Sequence, residues 1–372
     1  MVIGIDANEA NVAKKVGISE YAYQLLLQFY RLQPAGITFH IYLKELPREE
    51  LPTERKGWKY RVLTPKKLWT QWRLPLDLYT HFPRPDVFFS MTHYAPRLSP
   101  VPTVVAIMDV AYHHFPEAFA KKDLYQLQNW TKYSVEKARR VFAISQSTKN
   151  DIIKTYAIPE EKVIVTHLGI KRTVSLTPHV YGMNELKAKY GISDNFVLFV
   201  GTLQPRKNIA RLIEAFAKVP KKDDLQLVIV GKKGWLYEDI LAAPQKYGVE
   251  KEVKFLHFVP DDELNILYAH ARCYVLPSLY EGFGLPVLEA MSHNCPVITS
   301  NVSSMPEAGG DAALYVDPKD VDDIAKKIEK LVTDNALRKT LIEKGREQIK
   351  KFSWEKTARQ TLFVLEEVAG QK

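Results

Sequence analysis

Short apolar runs alternate along the chain with longer segments in which apolar residues recur at helical spacing. In the first half, the runs with the composition of β-strands are VIGID, ITFHIYL, DVFFS, TVVAIMD, RVFAIS and VIVTHLG. Helical periodicity lies between them at about 18–32, 121–139 and 147–156. Strands that alternate with helices predict a parallel sheet with helices on both faces.

The second half restarts the same pattern. Its predicted strands are NFVLFVG, LQLVIVG, VKFLHFV, CYVLPS and PVITS. Helices are predicted between these strands, and three amphipathic stretches follow from about residue 319 to the end. The repetition indicates a second parallel sheet of the same kind.

Between the halves, residues 171–194 carry no strand pattern and begin with two basic residues, which indicates a linker. A chain of 372 residues is too long for one ordinary core and suits two domains. We predict an α/β fold with Rossmann-like domains at 1–172 and 195–354, joined by a linker at 173–194. The two doubly wound domains are expected to face a central cleft, and such sheets bind ligands at the carboxyl ends of their strands.

Composition narrows the class of protein. Hydrophobic residues make up 46% of the chain and charged residues 26%, as in soluble globular proteins and unlike disordered ones. The amino terminus, MVIGID, is interpreted as a first strand and not a signal peptide, because Asp6 interrupts its apolar run. The two cysteines, Cys273 and Cys295, have no zinc-site spacing and are expected to be buried in a reducing cytoplasm, although spacing leaves a disulfide open.

The positive charge is confined to the first half. Residues 1–180 contain 25 Lys and Arg against 16 Asp and Glu, whereas residues 181–372 contain 27 of each, so the formal excess of +9 belongs to the first domain. The charge is densest in residues 55–84, which we call the basic aromatic region. Its aromatic residues include Trp58, Tyr60, Trp69, Trp72 and Tyr79. A field of one sign over one domain predicts an anionic partner.

The stretch PSLYEGFGLPVLEAM, at 277–291, contains the first candidate site. Gly282 and Gly284 let the backbone approach a ligand, and amide groups at the start of the following helix favour a diphosphate. Glu281 and Glu289 flank this turn, and carboxylates accept hydrogen bonds from sugar or ribose hydroxyls. The alternative is a Gly-Pro turn with a solvated Glu281 and a Glu289 favoured by the helix dipole.

The second candidate is VGTLQPRKN, at 200–208. A strand ends at Gly201, and Asn208 is expected to cap the next helix, which leaves Arg206 and Lys207 in the loop between. Two adjacent cations at the carboxyl edge of a sheet can stabilise a departing diphosphate. The alternative is an ordinary solvated basic pair.

Taken together, these motifs resemble family 4 glycosyltransferases, which are retaining, nucleotide-sugar-dependent enzymes of the GT-B fold. The resemblance is strong over about 195–355 and weaker over 1–170, where VGISEYAYQLL resembles the glycine loop and helix of the same family. It also implies that a helix at about 355–372 packs back on the first domain. The stretches that carry it are GTLQPRKN, VPDDELNILYAHA, PSLYEGFGLPVLEAM, CPVITSN and SSMPEAGGDAALYVDP.

The resemblance implies a role for each candidate residue. Glu289 would bind the ribose hydroxyls, Glu281 would face the donor sugar, and Arg206 and Lys207 would hold the diphosphate. The remaining donor-binding candidates are Gly17, whose loop would close over the phosphates; Thr202; the amides of Gly282, Phe283, Gly284 and Leu285; and His257, Phe258 and Val259 along the base.

Two positions depart from the family pattern. Thr202 stands where many relatives have Arg after the strand, so Arg206 is expected to supply that charge. Met108 stands where many have His before the strand-ending acid, Asp109, which remains a catalytic candidate. His113 and His114 lie nearby, but an adjacent pair in a loop is more often at the surface.

Retention implies that the acceptor reacts on the face that the nucleotide leaves, through an oxocarbenium-like transition state. Stabilisation of the phosphate charge would be the main catalytic effect, with no side-chain general base. Neither a cofactor nor a metal is required. The DVD sequence at 320–322 resembles an acidic metal motif, but its place at a predicted helix start favours capping.

The basic aromatic region suggests where in the cell the protein is located. In KKLWTQWRLPLDLY, at 66–79, three basic residues are mixed with Trp69, Trp72 and Leu74. Basic residues are attracted to anionic lipids and Trp favours the membrane interface. We therefore expect a cytoplasmic protein attached to the inner face of the membrane. The alternative is a solvated basic face over a buried aromatic cluster.

The leading hypothesis is transfer of a hexose to a glycan or polyprenyl-linked acceptor in cell-surface polysaccharide synthesis. The GTLQPRKN loop most resembles mannosyltransferases, which favours GDP-mannose as donor over a UDP-hexose. A nucleotide-sugar epimerase could share the two-domain cleft. A nucleic-acid-binding protein is suggested by the pI of about 9.2 but gives no reason for the two glutamates, so no nucleic-acid partner is expected.

Overall fold

A computed structural model describes residues 1–15, 17–170, 182–220 and 224–371. Contacts divide the chain into two compact units. The first comprises Met1–Gly169 together with Ser353–Lys372, and the second comprises Ile170–Phe352. Each unit is built around a parallel sheet with helices against it, as the alternating sequence pattern predicts.

In the described part of the first unit, the sheet has seven strands in the order β3-β2-β1-β4-β5-β6-β7. The strands are β1 Val2–Asp6, β2 Thr38–Leu43, β3 Trp58–Val62, β4 Val87–Ser90, β5 Thr103–Ile107, β6 Arg140–Ala143 and β7 Val163–Val165. Ile3 of β1 pairs with Phe39 on one side and Val87 on the other. The strand order therefore reverses beside β1, and the loops after β1 and β4 lie at the edge where such sheets bind ligands.

Helices cover both faces of this sheet, which explains why its central strands are almost entirely apolar. They are α1 Ile18–Leu32, α2 Leu74–Thr80, α3 Ala111–His114, α4 Lys121–Lys137 and α5 Gln146–Tyr156. A π-helical turn at Trp69–Arg73 leads directly into α2. The predicted helices at 18–32, 121–139 and 147–156 are thus observed with small changes at their ends.

The second unit has a sheet of six described strands in the order β10-β9-β8-β11-β12-β13. They are β8 Phe196–Val200, β9 Gln226–Val230, β10 Val253–Leu256, β11 Cys273–Leu276, β12 Val297–Ser300 and β13 Ala313–Val316. Its helices are α6 Met183–Tyr190, α7 Ile209–Lys218, α8 Glu238–Tyr247, α9 Asp261–His270, α10 Leu285–Ser292, α11 Met305–Gly309, α12 Val321–Thr333 and α13 Asn335–Ile349.

Several elements were not predicted. Strands β3 and β13 are short edge strands, and β3 carries charged side chains that hide its pattern. The helical segment from Trp69 to Thr80 lies in the basic aromatic region, which was interpreted as a membrane-binding surface or as a basic face over a buried aromatic cluster, without a predicted helix.

Part of the segment predicted as a linker is helical. Helix α6 is tied to α9 by Glu263, whose carboxylate accepts hydrogen bonds from Lys189 Nζ at 2.7 Å and from Tyr190 Oη at 2.5 Å. Residues 173–181 of the predicted linker lie outside the described residues. In the part of the chain that the structure describes, no helix combines the length and apolar character needed to cross a membrane.

The final helix, α14 Trp354–Gly370, belongs to the first unit and packs against α1. The Tyr21 and Trp354 rings lie 6.2 Å apart, and Thr357 Oγ1 donates a hydrogen bond to the His167 carbonyl at 2.6 Å. Gly169 allows the chain to pass α14 closely, because a Cβ atom there would lie 2.1 Å from the Trp354 backbone nitrogen.

We expect Gly169→Ala to destabilise the first unit by about 1–3 kcal/mol, because the added methyl meets backbone that cannot rotate away. Calorimetric unfolding of the full chain measures the effect. Gly370→Ala, in the same unit with nothing within 4 Å of the added Cβ, is the matched control and should change little. Equal thermal midpoints for the two variants would contradict the close passage at Gly169.

Candidate functional site

The strand order of the second sheet reverses beside β8. Leu198 of β8 pairs with Val228 of β9 on one side and with Tyr274 of β11 on the other. The loops that follow β8 and β11 therefore lie side by side at the carboxyl edge, the position where doubly wound sheets bind their ligands. These two loops contain both candidate motifs, VGTLQPRKN and PSLYEGFGLPVLEAM.

Glu281, Arg206 and Lys207 meet in a buried cluster, which we call the ion triad. Arg206 Nη1 donates a hydrogen bond to Glu281 Oε2 at 2.9 Å, and Lys207 Nζ donates to Oε1 at 2.5 Å. Ser278 Oγ also donates to Oε1, at 2.7 Å. Glu281 is only 7% exposed. The solvated glutamate and the solvated basic pair, both left open by the sequence, are therefore excluded.

The pKa of Glu281 reflects a balance of burial and charge. Burial raises the pKa, but attraction to Lys207 and Arg206 and the hydrogen bonds from Lys207 and Ser278 outweigh it and lower the pKa to about 2. Glu281 is therefore an anion at neutral pH. Since two cations surround this one carboxylate, the ion triad carries a net charge of +1.

Backbone contacts fix the two loops around the ion triad. The Leu279 amide donates a hydrogen bond to the Arg206 carbonyl at 2.9 Å. The Glu281 amide donates to Ser303 Oγ at 3.0 Å, and Ser304 Oγ donates to the Glu281 carbonyl at 2.9 Å. Because Ser303 and Ser304 follow β12, loops from three neighbouring strands converge at Glu281.

Asn208 does not act as the predicted cap. It precedes α7 in a left-handed conformation (φ 61°) and makes no side-chain capping bond. Its side-chain amide instead donates to the Pro277 carbonyl at 2.9 Å and to the Pro318 carbonyl at 2.6 Å. This buried amide therefore joins the loop after β8 to the chain segments that contain Pro277 and Pro318.

Helix α10 begins at the glycine turn and carries Glu289. Gly284 has φ 102°, a backbone conformation that favours glycine, and a Cβ atom there would also require the Met305 side chain to move, since Cε would lie 2.4 Å away. Glu289 lies one turn into the helix and is half-buried. Tyr268 Oη donates to Glu289 Oε2 at 3.3 Å, and burial together with the Glu289 charge keeps the pKa of Tyr268 well above its usual value.

The remaining donor-binding candidates of this unit lie in the same turn or in loops at the same sheet edge. Within the turn, Gly282, Phe283 and Leu285 continue the chain into α10. Thr202 directly follows Gly201 after β8, whereas His257, Phe258 and Val259 follow β10. His257 and Phe258 are exposed, but the Val259 side chain is buried.

Glycines bring the loops after β8 and β9 into contact. A Cβ atom on Gly231 would lie 1.8 Å from the Gly201 carbonyl oxygen, and one on Gly234 would lie 2.6 Å from the Leu203 carbonyl oxygen. Their packing shows that they shape the loop before Arg206.

Two candidates belong to the first unit. Gly17 precedes α1 with φ 53° and ψ −110°, a conformation suited to glycine, and nothing lies within 4 Å of the position of its missing Cβ. Asp109 follows β5 and accepts a hydrogen bond from the Ala111 amide at 2.9 Å. Met108 is buried, and His113 and His114 are exposed, on a short helix and not in the predicted loop.

His93 was not selected from the sequence. It follows β4 at the reversal of strand order, is 6% exposed, and has φ 37°. Within the described residues its Nδ1 atom has no hydrogen-bond partner. Burial lowers the pKa of His93, and the charge of Asp109 opposes this change. The sequence did not indicate His93 because only the strand order shows that the residues after β4 lie beside β1.

The described residues contain no group of three or more His, Cys, Asp or Glu side chains placed to hold a metal ion. Asp320 of the DVD sequence caps α12 by accepting hydrogen bonds from the Asp322 and Asp323 amides, as predicted. Cys273 and Cys295 are buried free thiols, so the disulfide left open by their spacing is not formed.

Comparison with known proteins identifies the family. Residues 17–173 match the profile of Glycosyltransferase Family 4, and residues 182–348 match that of Glycosyl transferases group 1. The chain is 33% identical to O-antigen chain mannosyltransferase B of Escherichia coli over 82% of its own length and 78% of that protein. The chain belongs to glycosyltransferase family 4.

Other proteins similar to this family 4 glycosyltransferase are consistent with that assignment. The serotype-specific mannosyltransferase WbdA of Escherichia coli is 35% identical over 60% of the chain, although the match spans only 28% of that longer protein. Among solved structures, sucrose-phosphate synthase from Thermosynechococcus elongatus superimposes with a TM-score of 0.77, at 19% identity and full coverage of both chains. WaaG, a glycosyltransferase involved in lipopolysaccharide biosynthesis, gives 0.71 at 18% identity, over 98% of this chain and 99% of that one. The predicted GT-B fold class is confirmed.

The ion triad predicts a defined acid sensitivity. The pKa of Glu281 is lower in the folded protein than in the unfolded chain, so its contribution to stability is complete above about pH 4.5 and is lost as the pH falls towards 2. About 2 kcal/mol of the free energy of unfolding should be lost through Glu281 by pH 3. Glu281→Gln should remove this pH-dependent part and, by leaving two cations without their anion, destabilise the second unit by about 3–5 kcal/mol at pH 7.

Calorimetric unfolding between pH 7 and pH 3 measures both effects. Glu250→Gln, at an exposed position of the same unit, is the control and should retain the wild-type pH dependence. A Glu281→Gln protein with the wild-type slope below pH 4.5 would show that Glu281 is not held as a paired anion.

Proposed function

We propose that this protein is a retaining mannosyltransferase that transfers mannose from GDP-mannose to a glycan or polyprenyl-linked acceptor of a cell-surface polysaccharide. The observation that carries the proposal is the ion triad at the reversal of strand order in the second sheet, next to Glu289 on α10. The names of the relatives favour mannose, since both Escherichia coli proteins are mannosyltransferases.

Arg206 and Lys207 are proposed to bind the donor diphosphate. Their contacts with Glu281 hold them before the donor arrives, so they lose little conformational entropy on binding. The net charge of +1 on the ion triad attracts the anionic diphosphate. As the bond to the sugar breaks, negative charge grows on the departing phosphate, and cations already in place stabilise that charge most.

The two glutamates are proposed to recognise hydroxyl groups. Glu281 faces the donor sugar and orients its ring. Glu289 accepts hydrogen bonds from the ribose hydroxyls, and the hydrogen bond from Tyr268 orients its carboxylate. The helix that carries Glu289 begins directly after Gly284, so its first amides can reach the phosphates.

The reaction is proposed to need no metal or other cofactor, because Arg206 and Lys207 supply positive charge where the leaving group develops. The departing phosphate takes the acceptor proton on the face that it leaves, which retains the anomeric configuration. The acceptor is proposed to bind to the first unit.

The donor is tested with purified protein and a panel of GDP-mannose, GDP-fucose, UDP-glucose and UDP-galactose. GDP-mannose should raise the melting temperature most, because a ligand that binds only the folded state stabilises it. It should also release GDP in the presence of a lipid-linked glycan acceptor, with an α-linked product by NMR. A β-linked product would refute retention, and epimerised donor without acceptor would favour an epimerase.

Glu289→Gln should weaken GDP-mannose binding roughly 10- to 100-fold, because a charge-assisted hydrogen bond contributes about 1.5–3 kcal/mol. Titration calorimetry with GDP and GDP-mannose measures the dissociation constant. Glu343→Gln, at an exposed position on α13, is the control and should bind normally. Unchanged affinity in Glu289→Gln would mean that Glu289 does not bind the ribose.

A further inference from the structure

Apolar side chains lie on two faces of the helical segment from Trp69 to Thr80. One face is part of the core of the first unit, where Trp69, Leu74 and Leu78 pack with Tyr42 and Phe88. Trp69 Nε1 donates a hydrogen bond to the Leu63 carbonyl at 3.1 Å. Two of the three residues expected at a membrane, Trp69 and Leu74, are therefore buried and only Trp72 is exposed, so part of that expectation was wrong.

The opposite face is apolar and exposed. Leu68, Trp72, Leu76 and Tyr79 are 50%, 72%, 58% and 47% exposed. Trp72, Leu76 and Tyr79 are spaced four and three residues apart on one side of the helical segment, and Leu68 directly precedes that segment. We call these four residues the apolar stripe. Soluble proteins seldom leave a row of large apolar side chains exposed on one helix face, so the stripe indicates a binding surface.

The apolar surface continues beyond the helix. Phe82, at 68% exposure, follows α2, and Leu98, at 75%, lies in a loop beside the π-helical turn. That loop is held in place because the Arg97 amide donates a hydrogen bond to the Thr70 carbonyl at 3.1 Å. The exposed surface is thus formed by two chain segments with a defined relation to each other.

Positive charge surrounds the apolar stripe. Lys66 and Lys67 are exposed just before it, with Lys66 also contacting Glu45. Asp77 is the one acidic residue of the basic aromatic region. It is buried and accepts two hydrogen bonds of 2.9 Å from Arg61. Since Asp77 points into the protein, it adds little negative charge to the surface of α2.

Further cations lie along the sheet edge next to α2. A cavity of about 540 Å³ lies along β3 and the residues just before it, and its charged lining consists of Arg55, Lys56, Lys59 and Arg61 with one acid, Glu54. Arg61 connects this cavity to α2 through Asp77. The positive surface therefore extends from the apolar stripe to the edge strand β3. A surface of this width can contact several anionic groups at once.

We infer that the apolar stripe and its surrounding cations dock on an anionic lipid bilayer. Leucine side chains enter the hydrocarbon boundary, whereas Trp and Tyr favour the depth of the headgroups, and lysines reach lipid phosphates. A nucleic acid would use the cations and aromatic rings but not Leu68 and Leu76. This inference gives the proposed peripheral location a surface, and it depends on neither the donor nor the reaction.

Vesicle co-sedimentation of the full-length protein, without donor or acceptor, tests the inference. Vesicles that contain phosphatidylglycerol should bind the protein at low salt and release most of it at 0.5 M salt, whereas phosphatidylcholine vesicles should bind weakly. The tryptophan emission of the protein should shift to shorter wavelength and be quenched by brominated lipid, and Trp72→Phe should remove most of both changes. No binding to anionic vesicles at low salt would overturn the inference.

Matched variants separate the stripe from general charge. Trp72→Gln with Leu76→Gln should weaken vesicle binding more than about tenfold, whereas Phe363→Gln, an exposed aromatic on α14, should not. Lys66→Gln with Lys67→Gln should weaken it about 25-fold, at about fivefold per lysine, but the equally exposed pair Lys121→Gln with Lys122→Gln should do so much less.

The thermal midpoint of each variant confirms that it folds. Equal losses in the stripe variants and their controls would show non-specific adsorption and overturn the inference. The inference would also be overturned, in favour of a nucleic acid, if the protein did not bind vesicles but bound single-stranded RNA and lost that binding with the stripe substitutions. Because donor binding is measured separately, failure here leaves the proposed reaction standing.

Discussion

A buried carboxylate held between two cations organises the ligand edge of the second unit. Charges removed from water are tolerated only when they are paired and hydrogen-bonded, so Glu281, Arg206 and Lys207 must stay together for the fold to be stable. The same contacts join loops from β8, β11 and β12. One set of interactions thus serves both the stability of the unit and the placement of the proposed catalytic cations.

This arrangement has a chemical advantage for group transfer. Solvated and mobile cationic side chains must lose water and conformational freedom when they bind a phosphate. Arg206 and Lys207 have already lost both by pairing with Glu281. The close packing of Gly231 on Gly201 and of Gly234 on Leu203 limits movement of the loop that carries the cations. The site is therefore rigid where charge must be matched.

The sequence predicted the central strands of both sheets because strands covered on two faces are continuously apolar, as in TVVAI and FVLFV. It missed β3 because an edge strand such as WKYRV alternates apolar with charged side chains that reach solvent. Each member of the ion triad was selected, but their pairing was not, since Lys207 and Glu281 are 74 residues apart and meet only through the strand order. The contacts of Asn208 and the position of His93 were missed for the same reason, because both depend on the order of the strands in the sheet.

The return of α14 to the first unit has a consequence for folding during synthesis. Residues up to Gly169 leave the ribosome well before Ser353, and the whole second unit is made in between. At about 5–20 residues per second, the 184 positions from 169 to 353 take roughly 10–40 s. During that time the side of α1 that receives Trp354 is uncovered, so the nascent first unit exposes apolar surface until α14 is made, and the second unit can complete its fold first.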